Sequence, residues 1–293
     1  MIKKHNAINL KNRKIIKIIG EEATHFLQAL ITTNVEKIGL QELFPGALLS
    51  PQGKVIADFL ICKIDHGYMI DIAEYLADTF QKRLNLYKLH KKIEITQPLH
   101  ETITVFWDNE EDTSDFDLKF VDKRFPQTKH VTRIYGKIPF SVPEYNDNWE
   151  RMRIRFAIAE SGQDYEIGKV FPHDINYDQI NGLVFNKGCY IGQEVISRMH
   201  HRSTARRRFL IVKGKDNLTS TSTIQADTKI LGQLSTCVEN EALALLRIDH
   251  VKDAMNKNIP FTVGNIPVTI TIAENMNFTF PEKDVEINCH DQN

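Results

Sequence analysis

The chain has only four cysteines in 293 residues, at positions 62, 189, 237 and 289. They stand singly, with no CxxC pair and none of the close spacing of a zinc site or a chain-held iron–sulfur cluster, so no metal site is expected. Scattered single thiols suit a reducing compartment, and a cytoplasmic location is the expectation. Net charge is also lacking. Thirty-seven basic and 38 acidic side chains leave −1, without the positive field of a dedicated nucleic-acid binder. Long apolar runs are missing too: Phe209-Leu210-Ile211-Val212 and Ala242-Leu243-Ala244-Leu245-Leu246 fall far short of the roughly 20 residues that cross a bilayer. The opening Met1-Ile2-Lys3-Lys4-His5-Asn6 leads into no apolar stretch of secretory-signal length. Neither a membrane partner nor a secretory route is expected, and no internal repeat or low-complexity tract occurs.

What is present is ordinary globular sequence, 42% hydrophobic and 26% charged, long enough for two or three modules with shared interfaces. Ile15-Ile16-Lys17-Ile18-Ile19 before Gly20 reads as a strand and a turn. Ala23, Phe26, Leu27, Leu30 and Ile31 then follow at helical spacing, which predicts a helix through position 31. Ser50-Pro51-Gln52-Gly53 predicts a tight turn into a strand over 55–62, and Asp65-His66-Gly67 a second turn into a strand over 68–72. Leu76, Phe80, Leu84 and Tyr87 predict a helix from Glu74 to about Leu89. Strands follow at 93–96 and 102–107, an acidic loop at 108–117, and a helix over 149–160. After Arg208, short apolar runs near 209–213, 230–234, 242–248 and 266–272 predict a small β-barrel or sandwich, and the tail after Pro281 is polar.

The chemistry concentrates in Lys187-Gly188-Cys189-Tyr190-Ile191-Gly192-Gln193-Glu194. Gly188 and Gly192 bracket Cys189 and permit a sharp turn or a close approach of backbone to a ligand. Lys187 would favour the thiolate of an exposed Cys189. The plainer alternative, a structural cysteine in a glycine-rich turn, stays open. Gln193 and Glu194 offer an amide and a carboxylate able to read a heterocycle with N–H and carbonyl groups. They also suit a helix start, in which Glu194 and Arg198 form an i,i+4 pair. The basic stretch from Arg198 through His200, His201 and Arg202 to Arg206, Arg207 and Arg208 reads either as a solvated linker or as an anion contact. The adjacent histidines cannot share one helix face, and no aromatic platform accompanies the arginines, so neither a metal nor a nucleic acid is expected there.

This octapeptide resembles the signature of the YgfZ folate-binding family, which is linked to iron–sulfur cluster assembly or repair. The likeness continues through Phe171-Pro172, Asn176-Tyr177-Asp178-Gln179-Ile180, Gly182-Leu183-Val184-Phe185 and the stretch from Arg198 to Arg202. It also reaches the amino-terminal half, at 26–34 and 48–54. The family is related to the aminomethyltransferase of glycine cleavage. The resemblance therefore implies an α+β chain of three modules around a central folate cavity, with folate-binding modules over 1–205, a barrel over 206–281 and a tail over 282–293. Where the aminomethyltransferases carry paired aspartates, one of them catalytic, this chain has Ala57-Asp58. One carboxylate is absent, which points away from a classical transferase.

The resemblance implies tetrahydrofolate or a one-carbon derivative as the cofactor, with iron–sulfur enzymes or cluster-assembly proteins as partners. Lys187, Tyr190, Gln193, Glu194 and Arg198 are then the expected folate residues, and Arg202 and Arg206 would meet the carboxylates of a folate tail. Cys189 is the candidate redox or partner-contacting thiol, and Asp58 the candidate for any residual catalysis. The alternatives are a glycine-cleavage type aminomethyltransferase and a partner-binding scaffold without ligand.

Overall fold

The computed structural model describes residues 6–98, 102–108, 116, 118–202 and 205–281. Among these residues nine strands form one sheet: β1 (Ala7–Asn9), β2 (Arg13–Ile19), β3 (Glu42–Leu49), β4 (Val55–Ile64), β5 (Gly67–Ala73), β6 (Glu94–Thr96), β7 (Ile103–Phe106), β8 (Lys119–Asp122) and β9 (Thr132–Tyr135). Their spatial order is β1-β7-β9-β8-β3-β4-β5-β2-β6, with the parallel pair β3–β8 joining two antiparallel halves. Helices α1 (Ala23–Gln28) and α2 (Glu74–Lys88) cover one face of the second half, where Phe26, Leu27, Phe80 and Leu84 pack on Ala57, Phe59 and Ile61 of β4. Side chains alternate along a strand, so Asp58, Leu60 and Cys62 face the other way.

That other face is curled onto itself. Strands β9 and β5 are four strand spacings apart, about 19 Å in a flat sheet, yet Arg133 Nη1 on β9 donates to Asp71 Oδ2 on β5 at 2.8 Å. Tyr135 OH donates to the same oxygen at 2.9 Å, and Arg13 pairs with the other carboxylate oxygen. Around this knot Leu43, Leu60, Cys62, Ile103 and Phe120 form a core that draws on both halves. Arg133 Nε also reaches Asp122 Oδ2 at 3.3 Å, Arg124 binds Asp122 in a fork, and Arg124 lies 3.6 Å from Glu160. Burial alone would raise the carboxyl of Asp71, but Arg13 and Arg133 hold it below its ordinary range. Glu160 is likewise held at about 2, against burial, by Arg153, Arg13, Arg124 and Arg133.

The carboxy-terminal module is a closed barrel of six strands in the order β10-β13-β12-β11-β14-β15: β10 (Arg207–Gly214), β11 (Thr223–Ala226), β12 (Lys229–Val238), β13 (Glu241–Arg247), β14 (Phe261–Val263) and β15 (Ile266–Thr271). The barrel is anchored by α3 (Asp147–Arg155), whose buried Arg153 donates to Glu150, to Asp164 and to Thr236 on β12. Helix α4 (Gln193–His201) precedes the barrel, and α5 (Ile248–Asn256) follows β13 directly, without the glycine or proline break that would have marked it in the sequence.

Two helices are shorter than their periodicity predicts. Ile31 leaves α1 to bridge Leu48 of β3, and Thr32 N donates to Ala47 O at 3.0 Å. Helix α3 stops at Arg155 because Ala157 takes φ +50, and the chain then turns to bring 158–165 back under the sheet. Most of the acidic loop at 108–117 and the whole tail at 282–293 lie outside the described residues. Among those described, no helix is long and apolar enough to cross a membrane.

Replacing Asp71 by Ala strands two arginines in the curled core, so urea unfolding should show a loss of about 3–5 kcal/mol. The native carboxyl is depressed, so its contribution is full above the unfolded pKa of about 3.9 and is lost as pH falls below that value. The wild type minus Asp71→Ala difference should therefore shrink on acidification.

Candidate functional site

The octapeptide forms a loop and the start of α4. Gly192 is the residue before the helix, with φ +81, and a Cβ there would lie 2.6 Å from Ser50 O and 3.0 Å from Leu49 Cβ. Gly53 faces back, its missing Cβ 3.0 Å from Ile196 Cδ1 and 3.2 Å from Val195 Cβ. Two glycines from separate halves of the chain thus let the helix settle on the turn between β3 and β4. Gly188 differs: it lies in a bend, and no atom lies within 4 Å of where its Cβ would be, so a side chain there is sterically free.

Lys187 turns inward. Its Nζ donates to Ile31 O at 2.7 Å and Thr33 O at 2.6 Å and lies 5.2 Å from the Tyr190 ring centroid. Burial lowers the ammonium to about 8. Tyr190 is buried, and its N–H donates to Gln193 Oε1 at 3.3 Å, so the Gln193 side chain closes the loop on itself. Glu194 and Arg198 form the i,i+4 ion pair on the exposed face of α4. Cys189 is exposed, whereas Cys62 is buried and Cys237 half-buried, with burial pushing the Cys237 thiol up to about 11.

The basic stretch divides. Arg207 pairs with Asp174 at 2.6 Å, and Arg208 forks onto Asp178 and donates to His173 O at 2.9 Å, so both tie the barrel to the loop before the octapeptide. Arg202 and Arg206 remain exposed. His200 stacks on Phe185 with ring centroids 4.0 Å apart, and buried His173 lies 6.0 Å from His200. This aromatic cluster holds the other flank of the loop, and Cys189 projects between the two anchors.

Asp58 is set apart from these residues, buried on β4. Hydroxyls of Ser161 and Tyr165 face its carboxyl, delivered there by the turn after α3, and Arg13 and Glu160 are its charged neighbours. Asp58 Oδ1 and Tyr165 OH are buried with no hydrogen-bond partner by distance and angle. Arg13 is already spent on Asp71. Burial therefore prevails over Ser161, Arg13 and Tyr165 and raises the Asp58 carboxyl above its ordinary range. A protonated acid donates and accepts at once, and two unpartnered polar atoms this deep are costly unless a ligand or water meets them. Sequence reading found Asp58 but missed Ser161, Tyr165 and Glu160. Their only sequence signal was the predicted helix over 149–160, which placed Glu160 inside a helix.

With this geometry in view, residues 206–278 match the family described as CAF17, C-terminal beta-barrel domain. The chain is 26% identical over 238 residues to the mitochondrial iron-sulfur cluster assembly factor IBA57 homolog of Chaetomium globosum, covering 69% of this chain and 54% of that one. It is 30% identical over 241 residues to the homolog of Coccidioides immitis, covering 70% and 56%. The human mitochondrial factor IBA57 is 24% identical, with 84% and 79% covered. The chain thus spans about half the length of the first two relatives. Its fold is that of the glycine cleavage system aminomethyltransferase T from Bartonella henselae, with a TM-score of 0.66 at 10% identity over 94% of this chain and 88% of that one. The cytoplasmic expectation is overturned by these relatives, which are named as mitochondrial. Single scattered thiols indicate a reducing environment and do not distinguish one such compartment from another.

The two glycines of the octapeptide should respond differently to alanine. Gly192→Ala meets both a positive φ and a backbone oxygen and should cost about 1–3 kcal/mol in thermal or urea unfolding. Gly188→Ala should stay within about 0.5 kcal/mol of wild type.

Proposed function

We propose that this chain, a member of the CAF17/IBA57-type family, is a tetrahydrofolate-binding auxiliary protein for the assembly or repair of iron–sulfur cluster enzymes. The buried Asp58 carboxyl facing Tyr165, with Asp58 Oδ1 and Tyr165 OH unpartnered, carries the ligand half of this reading. A pterin presents ring N–H groups beside a carbonyl on a flat heterocycle, and a neutral acid with a phenol complements that pattern. Arg202 and Arg206 are exposed cations suited to a carboxylate tail. Burial raises the Asp58 carboxyl and so disfavours the ionised form that an aminomethyltransferase would use beside a developing cation.

The octapeptide carries the partner half. Lys187 and Gln193 are engaged within the loop, while Cys189, Glu194 and Arg198 face solvent. In this reading Cys189 meets an iron–sulfur protein as a partner-contacting thiol, and the cluster is cargo. The relatives named as iron-sulfur cluster assembly factors support that assignment.

Calorimetric titration with tetrahydrofolate tests the first half. Asp58→Ala should weaken binding by about tenfold or more, because a buried ligand group loses its partner. Asp58→Asn keeps a donor and an acceptor and should retain binding. Wild-type binding should decline as pH rises through the raised Asp58 titration, while Asp58→Asn stays flat. Saturable binding unaffected by Asp58→Ala would remove Asp58 from the site. Cys189→Ser should bind tetrahydrofolate normally yet fail to restore iron–sulfur enzyme activity in cells lacking the chain, and full restoration would sink the thiol's role.

A further inference from the structure

The groups that face Asp58 differ in how firmly they are held. Arg13 is fixed by two bonds to Asp71, Glu160 lies beside Arg124, and Tyr165 and Tyr177 are 7% and 4% exposed. Tyr75 is the exception. It stands in the first turn of α2 and is 57% exposed, while its phenol reaches the Ser161 hydroxyl that also faces Asp58. From the inside outward the order is Asp58, Ser161, Tyr75, solvent.

The Tyr75 ring lies against Gly162. That glycine has φ +80, and a Cβ on it would fall 3.0 Å from Tyr75 Cε1 and 3.3 Å from its Cζ and hydroxyl oxygen. Only a residue without a side chain leaves the ring this close to the backbone. The ring is therefore seated, but by one flat contact and one polar anchor that water can replace. An exposed aromatic side chain so held changes rotamer quickly on the scale of ligand exchange, whereas the buried walls around it do not.

We propose that Tyr75 is the movable cover of the buried Asp58 carboxyl and the residue that sets access to it. With the ring on Gly162 the Asp58 carboxyl is buried. With the ring swung outward, the way past Ser161 opens for a flat ligand to reach the acid and the Tyr165 phenol. The inference rests on the reading of the Asp58 pocket as a ligand site, but its physical content is access and needs no particular ligand.

The test introduces Asp58→Cys into full-length chain carrying Cys189→Ser, and follows alkylation of the introduced thiol by iodoacetamide with peptide mass spectrometry. Labelling should be slow with Tyr75 present and equally slow in Tyr75→Phe, which keeps the ring. It should be faster by about tenfold or more in Tyr75→Ala. Gly162→Ala, which pushes the ring off its seat, should approach the Tyr75→Ala rate. Equal rates for Tyr75 and Tyr75→Ala in folded protein would overturn the proposal. A second measurement leaves Asp58 in place: tetrahydrofolate association and dissociation rates should rise together in Tyr75→Ala, with the equilibrium constant nearly unchanged. A Tyr75→Ala protein whose rates match wild type would also overturn the cover. If tetrahydrofolate fails to bind any form, the proposed function falls and the labelling rates alone decide the cover.

Discussion

The architecture depends on one carboxylate with no exposure to solvent. Asp71 sits in the middle of β5 and receives Arg13 from β2, and Arg133 and Tyr135 from β9. Those strands flank opposite ends of the central run of the sheet, so the contact exists only because the sheet curls. The cost of burying charge is met by stoichiometry. Asp71, Asp122 and Glu160 are matched by Arg13, Arg124 and Arg133, and Arg133 links the two aspartates. A pair alone at this depth would not repay its desolvation, but a network of paired charges can, although Arg133 Nη2 and Glu160 Oε1 have no hydrogen-bond partner in it.

The same balance determines the state of Asp58. Asp58 is a fourth carboxyl on the curled face, and the nearest guanidinium, Arg13, is held by Asp71 through both Nε and Nη2. With no cation left, ionising Asp58 would place an unpaired charge in the interior beside Glu160. Burial therefore raises its carboxyl above the ordinary range. The paired charges next door thus leave Asp58 without a cation of its own, and its carboxyl is raised. Losing Asp71 would free Arg13 for Asp58 and lower the Asp58 carboxyl.

Much of this was legible in the sequence wherever the signal is local. The strand over 55–62, the helix from Glu74 and the start of α4 at Gln193 follow from turn residues and periodicity, and the structure has them. The segments that resemble the YgfZ family also meet in space: Lys187 binds the carbonyls of Ile31 and Thr33, Thr32 binds Gly182, and Gly192 rests on the turn at Ser50. What could not be read is non-local. Nothing around Asp71 in the strand Tyr68–Ile72 announces partners 58 and 62 residues away. Ala157 gives no sign that it will take a left-handed conformation, although that turn delivers Ser161 and Tyr165 to the pocket. The run Arg206-Arg207-Arg208 looks uniform, yet Arg206 lies just before β10 and is exposed, whereas Arg208 within the strand is buried and paired with Asp178.

The pocket and the octapeptide are separate surfaces of one rigid hairpin. Gly53, on which α4 rests, lies in the turn just before β4 and five residues before Asp58, about 17 Å when extended. Between them Val55 is locked to the segment after the pocket, since its N–H donates to Val170 O at 3.0 Å and its carbonyl accepts from Gly168 N at 2.7 Å. Gly168 lies three residues beyond Tyr165, so the strand that carries the acid also braces the loop that carries the phenol. Any shift of β4 that accommodates a ligand at Asp58 must therefore move the Ser50–Gly53 turn or break these two bonds. Gly192 is packed 2.6 Å from Ser50 O at the position of its missing Cβ and leaves no slack to absorb such a shift. The loop of the exposed thiol and the strand of the buried acid thus share one turn and these two backbone hydrogen bonds.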